Sequence, residues 1–234
     1  ICPKIKKQKT IFRADLVEKG NIKMTPTRTV YDSQLTNLKH ELLRMGEEVK
    51  NSIIATTKAL EERDLKAAEE IIKHDDEIDA IQYNIEETFI NLIMTQQPVA
   101  QDLRNIFAIN KIASDLERIG DYAHSIAKIN IAIQGSIMKK LTNIHQMCGI
   151  ATQMLTDVLD AYMDNDDEKA REVSKRDDML DSLYEEIFKE LMAYVIADPK
   201  LINQAFQLLL ITRYYERTGD HITNISEWVV FNKT

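Results

Sequence analysis

Apolar residues along this chain recur at intervals of three and four, the spacing that lines one face of an α-helix. Leu35, Leu38, Leu42, Met45, Val49 and Ile53 make a first stripe that continues to Leu60, and Glu61-Glu62-Arg63-Asp64 interrupts it as a polar turn. Ile71, Ile78, Ile85 and Leu92 make a second, which stops at Gln96-Gln97-Pro98. A third begins near Asp102, a candidate N-cap, and runs through Ile109, Ile112, Leu116, Ala123 and Ile126. The plan then repeats. Leu141, Ile144, Cys148, Ala151, Leu155, Val158 and Tyr162 form the fourth stripe, and Asp164-Asn165-Asp166-Asp167 is its turn. Val173, Leu180, Ile187 and Leu191 form the fifth, ended by Asp198-Pro199. The sixth, from Leu201 to Val230, is apolar on more than one side and is expected to be the most buried. The pattern predicts an all-α fold, a tandem repeat of two three-helix, coiled-coil-like bundles with helices of about 25–32 residues.

The repetition extends to residue identities. Residues 58–79 and 160–181 agree at eight of 22 positions without a gap. The pentad Glu117-Arg118-Ile119-Gly120-Asp121 returns as Glu216-Arg217-Thr218-Gly219-Asp220, and Asp75-Asp76-Glu77-Ile78-Asp79 returns as Asp177-Asp178-Met179-Leu180-Asp181. Residues 24–134 read as the first repeat and 135–234 as the second, divided at Gln134-Gly135-Ser136. Residues 1–23 read as a basic leader outside both, with Met24 as a natural start.

Composition supports helices and narrows the partners. Six Gly and four Pro in 234 residues, with 44% hydrophobic residues and 6% aromatics, fit a helical chain with sizeable cores. The net charge of −8 is uneven: residues 1–23 hold seven Lys/Arg and two Asp/Glu, leaving 23 and 36 to residues 24–234. A body that acidic suits cations or a basic protein surface and disfavours nucleic acid, whose binding rests on neutralising phosphates. No uncharged apolar run approaches the ~20 residues a membrane-spanning helix needs. Cys2 and Cys148 make no disulfide framework. A soluble, intracellular protein is expected.

The duplicated acids are the candidate chemistry. Asp75/Asp79, Glu117/Asp121, Asp177/Asp181 and Glu216/Asp220 each stand at i and i+4, where like charges on one helix face repel by roughly 0.2–0.5 kcal/mol per pair. At about 100° per residue from Ile71, Asp75 falls near 40° and Asp79 near 80°, on the shoulder of the apolar face and not at its solvated back. The residues four positions beyond Asp79, Asp121, Asp181 and Asp220 are Tyr83, Ser125, Glu185 and Asn224, none of them basic. Arg118 and Arg217 directly follow the glutamates and are expected to point away from them. A bound cation is the simplest compensation, and all-oxygen ligands favour Mg, Mn, Ca or iron, with Zn possible. Such an ion or cluster is expected between the second and third helices of each repeat. Gly120 and Gly219, inside helices, imply close approach of a neighbouring helix or room for ligands.

Other motifs carry less. His124 follows Asp121 as Asp-x-x-His, but Thr223 stands at the matching place, and His221 has Tyr122 as its counterpart. Neither histidine is counted as a ligand. Tyr83, Tyr122, Tyr214, Tyr215 and Trp228 read as packing residues. No Gly-rich phosphate loop, nucleophile elbow or Cys/His metal spacing is present. A di-metal carboxylate oxidoreductase in a helical bundle would need Glu-x-x-His on two helices, and the chain has none.

With these paired motifs, and with Pro98-Val99-Ala100-Gln101-Asp102-Leu103-Arg104 leading to Ser114-Asp115-Leu116 and the first pentad, residues 24–234 resemble the PhoU family of phosphate-signalling proteins. The second copy lacks the Asp-Leu-Arg element. The resemblance implies a cytoplasmic, non-enzymatic adaptor, often dimeric, that represses the phosphate-starvation response. It implies partners in the ATPase subunit of a phosphate ABC transporter and a sensor histidine kinase, and iron, zinc or other metal ions at the eight acids. The alternatives are an accessory of an ion-coupled phosphate carrier and a purely structural bundle whose acids only solvate it.

Overall fold

The computed structural model describes residues 26–133 and 142–233. The helices are α1 (Pro26–Glu62), α2 (Leu65–Gln96), α3 (Gln101–Ala132), α4 (Thr142–Asp164), α5 (Asp167–Ser174), α6 (Asp177–Ala197) and α7 (Ile202–Lys233), with a 3₁₀ turn at Pro199–Leu201. The boundary at Gln134-Gly135-Ser136, Leu141 and the leader lie outside the described residues.

Helices α1–α3 form one three-helix bundle and α4–α7 the other. The predicted stripes are the buried faces: Leu38, Leu42, Met45 and Val49 of α1, Ile78, Ile85 and Leu92 of α2, and Ala151, Leu155, Val158 and Tyr162 of α4 are all buried. The expected single fifth helix is instead two. Val173 and Leu180 both stay buried, but Arg176 N–H reaches back to Val173 O (3.0 Å) and Met179 N–H to Arg176 O (3.0 Å), a locally tightened turn. The Arg176 guanidinium is drawn to Asp157 on α4 (2.5 Å). The break makes Asp177 the first residue of α6, whereas its counterpart Asp75 lies inside the unbroken α2.

The first two helices of each repeat are joined by one device. Arg63 (φ 55°) and Asn165 (φ 52°) adopt the left-handed conformation, and Asp64 N–H and Asp166 N–H each close on a carbonyl five residues back, at Ala59 and Ala161 (both 2.9 Å). Asp64 then caps α2, its carboxylate accepting from Lys66 N–H and Ala67 N–H at 3.0 Å, and Asp166 caps α5 through Lys169 N–H at 3.0 Å. For a non-glycine residue the left-handed conformation costs roughly 1–2 kcal/mol. Arg63 offsets it by donating to Asn130 O, Asn130 Oδ1 and Ile133 O at the C-terminus of α3 (2.7–2.8 Å), where a cation also complements the helix dipole. Asp102 is not the N-cap of α3: Ala100 occupies that place, with φ 50°, and Asp102 sits in the first turn.

One apolar core runs through both repeats. α1 lies antiparallel to α4, with Gly46 against Leu159 and the Cys148 thiol against Ile53 O. α3 lies antiparallel to α7: Phe107 meets Trp228, Asp115 meets His221 and Tyr122 stacks on Tyr214. Tyr215, fully buried, shares a 2.5 Å hydrogen bond with Thr57 of α1. α7 is therefore as central as expected, but it shares the centre with α3. α2 and α6 are left on the outside, each against one central helix. No helix among the described residues is long and apolar enough to cross a membrane.

Removing either cap should cost about 1 kcal/mol. Asp64→Ala and Asp166→Ala are each expected to lower the calorimetric midpoint by about 2–4 °C for a chain of this size. Unchanged midpoints would show that water replaces the carboxylates there.

Candidate metal centres

The eight acids fall in two grooves, α2 against α3 and α6 against α7. Each groove is closed where a glycine meets the facing aspartate. A Cβ on Gly120 would lie 3.3 Å from Ile78 Cγ2 and 3.9 Å from Asp75 Oδ1. A Cβ on Gly219 would overlap Asp177 Oδ1 and come within 2.7 Å of Leu180 Cδ1. The close-approach reading of the glycines holds: a neighbouring helix comes up against each, and it brings a carboxylate with it.

Burial and acidic neighbours raise carboxyls in each groove. Burial, then the charges of Asp75, Asp121 and Asp76, hold the Asp79 carboxyl above its ordinary range, with His124 opposing. Glu117 is raised by burial and by Asp121, Asp79 and Asp75, against Arg118. In the second groove Asp177 is pushed up to about 6, by burial first and then by Asp181, Asp220 and Glu216. Asp181 is raised by burial, Asp220 and Asp178, and Glu216 by burial, Asp220 and Asp181, in both cases against Arg213. Each predicted set is thus one electrostatic group. Among the described residues, however, no three His, Cys, Asp or Glu side chains converge as a ready ligand set.

Several basic partners were not legible from i+4 spacing. His124 Nδ1 pairs with Asp75 Oδ2 across the α2–α3 groove. Arg118 does not turn away: its Nη1 is 3.1 Å from Asp121 and its Nε 3.6 Å from Glu117. Arg217 does turn away, onto the ring of Tyr122 (5.5 Å). Arg213, three residues before Glu216, pairs with it at 2.5 Å. The Asp-x-x-His spacing was the available signal for His124, since i+3 lies on the same face as Asp121. Tyr83 is not a packing residue; it is 58% exposed and donates to Glu87 (3.0 Å).

Cations fit the donor chemistry of the α6–α7 groove. Glu216 is only 9% exposed, yet its Oε2 is buried without a hydrogen-bond partner, as are Asp177 Oδ1 and Thr223 Oγ1. A buried acceptor left unmade costs about 1–3 kcal/mol, more when charged, so these oxygens are poised for a positive ligand.

The model of the PhoU domain matches this chain twice, over residues 42–129 and 144–229. A phosphate-specific transport system accessory protein PhoU homolog from Clostridium acetobutylicum is 45% identical over 210 residues, 88% of this chain and 94% of that protein. Its counterpart from Aquifex aeolicus is 38% identical over 79% of this chain and 84% of that protein. The crystal structure of PhoU from Pseudomonas aeruginosa superposes with a TM-score of 0.83 at 30% identity, covering 86% of this chain and 98% of that one. That of the phosphate transport system regulatory protein PhoU from Streptococcus pneumoniae gives 0.82 at 31%, covering 87% and 97%.

Two outcomes follow from the grooves. Gly120→Ala should stay within about 1 kcal/mol of neutral, since helix propensity offsets mild crowding, whereas Gly219→Ala should lose on the order of 1–3 kcal/mol in chemical denaturation. Asp177 holds its proton more tightly folded than unfolded, so its contribution to stability is present below the ordinary value of 3.8 and is lost as pH rises through about 6. In chelator-treated protein, Asp177→Asn should therefore raise the thermal midpoint at about pH 8 and change it little at about pH 4. An equal shift at both would contradict the crowding.

Proposed function

The chain belongs to the PhoU family, and on that premise we propose that it is a non-enzymatic accessory protein of phosphate transport, a cytoplasmic adaptor that restrains phosphate uptake and the phosphate-starvation response. The carrying observation is the pair of grooves, each gathering four mutually repelling carboxylates. The relatives' names supply the transport system. In this reading Asp75, Asp79, Glu117 and Asp121 hold one cation or cluster, and Asp177, Asp181, Glu216 and Asp220 another, with iron, zinc, manganese and magnesium as candidate ions. A bound ion would supply positive charge to a negatively crowded groove.

The residues then act as a charge switch. Uncompensated, the carboxylates present clustered negative charge beside the central helices. Compensated, they present a face that a partner's acidic groups can approach. The adaptor role also draws support from apolar side chains at the two hairpin tips, where exposure recurs at duplicated positions. Met94 (69%), Leu103 and Phe107 stand at the α2–α3 tip, and Ile196 (83%), Ile202 and Phe206 at the α6–α7 tip. Exposed apolar groups so placed suit protein partners. The partners proposed are the ATPase subunit of a phosphate ABC transporter and the cytoplasmic part of a sensor histidine kinase.

Because linkage is reciprocal, metal should tighten partner binding by the factor by which the partner tightens metal binding, typically about 5–150-fold. Titration calorimetry with the purified ATPase subunit and kinase fragment, with and without Mn(II) at matched ionic strength, reads this directly. Equal affinities in both conditions would remove the switch, and no binding to either partner would remove the adaptor role.

A further inference from the structure

We propose that the two duplicated grooves are unequal: the second, between α6 and α7, is the tight cation site, and in the first, between α2 and α3, three of the four acids are already engaged by the chain's own His124 and Arg118. This ranking rests on reading the acids as cation sites.

The asymmetry lies in what each acid touches. In the first groove Asp75 is paired with His124, and both Glu117 and Asp121 with Arg118. Asp79 alone of the four has no ion pair among the described residues. In the second groove only Glu216 has one, to Arg213 through Oε1. Asp177, Asp181 and Asp220 have none among the described residues. The position of His124 is held there by Thr223, which brings no charge. Its Oγ1, Asp177 Oδ1 and Glu216 Oε2 are buried oxygens without partners, two carboxylate acceptors and one hydroxyl that can accept as well as donate. Oxygen acceptors lacking donors are the surroundings a hard cation takes.

The cause lies where the central helices cross. Residues 99 apart are equivalent, so the contact of Asp115 with His221 corresponds to the contact of Tyr214 with Tyr122. Tyr122 and His221 are equivalent to each other and meet through Tyr122 OH and His221 Nε2 at 3.1 Å. Arg217 therefore finds an aromatic face, Tyr122, and is held off its own groove. Arg118 would find His221 in the same relation, but that imidazole is engaged by Asp115 (2.8 Å) and Tyr122. Arg118 instead folds back onto Glu117 and Asp121. One exchange, Tyr for His at the crossing, keeps Arg118 on the acids of the first groove and takes Arg217 off those of the second, which retain Arg213 alone.

Mn(II) titrated into chelator-treated full-length protein, followed by the loss of the free-ion paramagnetic resonance signal, distinguishes the grooves. The wild type should show a tight and a weak class at least about tenfold apart, a gap of 1.4 kcal/mol. Asp181→Asn with Asp220→Asn should abolish the tight class and keep the weak one. Asp79→Asn with Asp121→Asn should spare the tight class. His124→Thr, which copies the second repeat, should tighten the weak class at least severalfold, with a thermal melt confirming that the variant is folded. Equal classes, or loss of the tight class from the first-groove variant, would overturn the ranking while leaving both grooves as cation sites. Failure of the wild type to bind Mn(II), Fe(II) or Zn(II) would instead overturn the cation reading, and the ranking with it.

Discussion

Each repeat presses an aspartate-bearing outer helix onto a glycine of a central helix, and that close approach sets the electrostatics of the molecule. At Gly219 there is no room for even a methyl group beside Asp177, and that half-buried carboxylate stands among the charges of Asp181, Asp220 and Glu216. At Gly120 the approach is looser, and Ile78 supplies most of it. Burial of several like charges is unfavourable unless something compensates them. In the first groove Arg118 and His124 engage the acids; in the second, Asp177 Oδ1 and Glu216 Oε2 are left without partners, and a bound cation is the compensation proposed there.

The second organising feature is the antiparallel crossing of α3 and α7. It merges two bundles into one core and brings the residues that follow Asp121 and Asp220 into contact across the molecule. A change in either groove therefore lies one residue from the hydrogen bond between Tyr122 and His221. Glu117 and Asp121, Glu216 and Asp220, and the joint between the repeats all lie on one pair of helices, which gives the two grooves a short path to each other.

Much of this was legible in the sequence. Stripes such as Leu38–Leu42–Met45–Val49 and Ile144–Cys148–Ala151–Leu155 define buried faces because helical period is a local property. The acids on the shoulders of the stripes on α2 and the fifth segment do lie at grooves, since shoulder positions face a neighbouring helix. The break between α5 and α6 leaves no mark in the local apolar pattern, and the partner of Arg176 at the break, Asp157, is 19 residues away. The fate of Arg118 and Arg217 was hidden for the same reason: their neighbours in sequence are equivalent, and only the aromatic or imidazole across the crossing separates them. His124 looked like an isolated histidine until α2 was placed beside it.

The central claim is that crowded carboxylates in these grooves are compensated by bound cations. The most direct measurement is elemental analysis of the protein purified without chelators or affinity metal, set beside the variant with Asp177 and Glu216 both changed to their amides. The account predicts stoichiometric metal in the wild type and a clear fall in the variant, with both proteins folded. Wild-type protein that carries no metal, and gains none on dialysis against Mn, Fe or Zn, would contradict it.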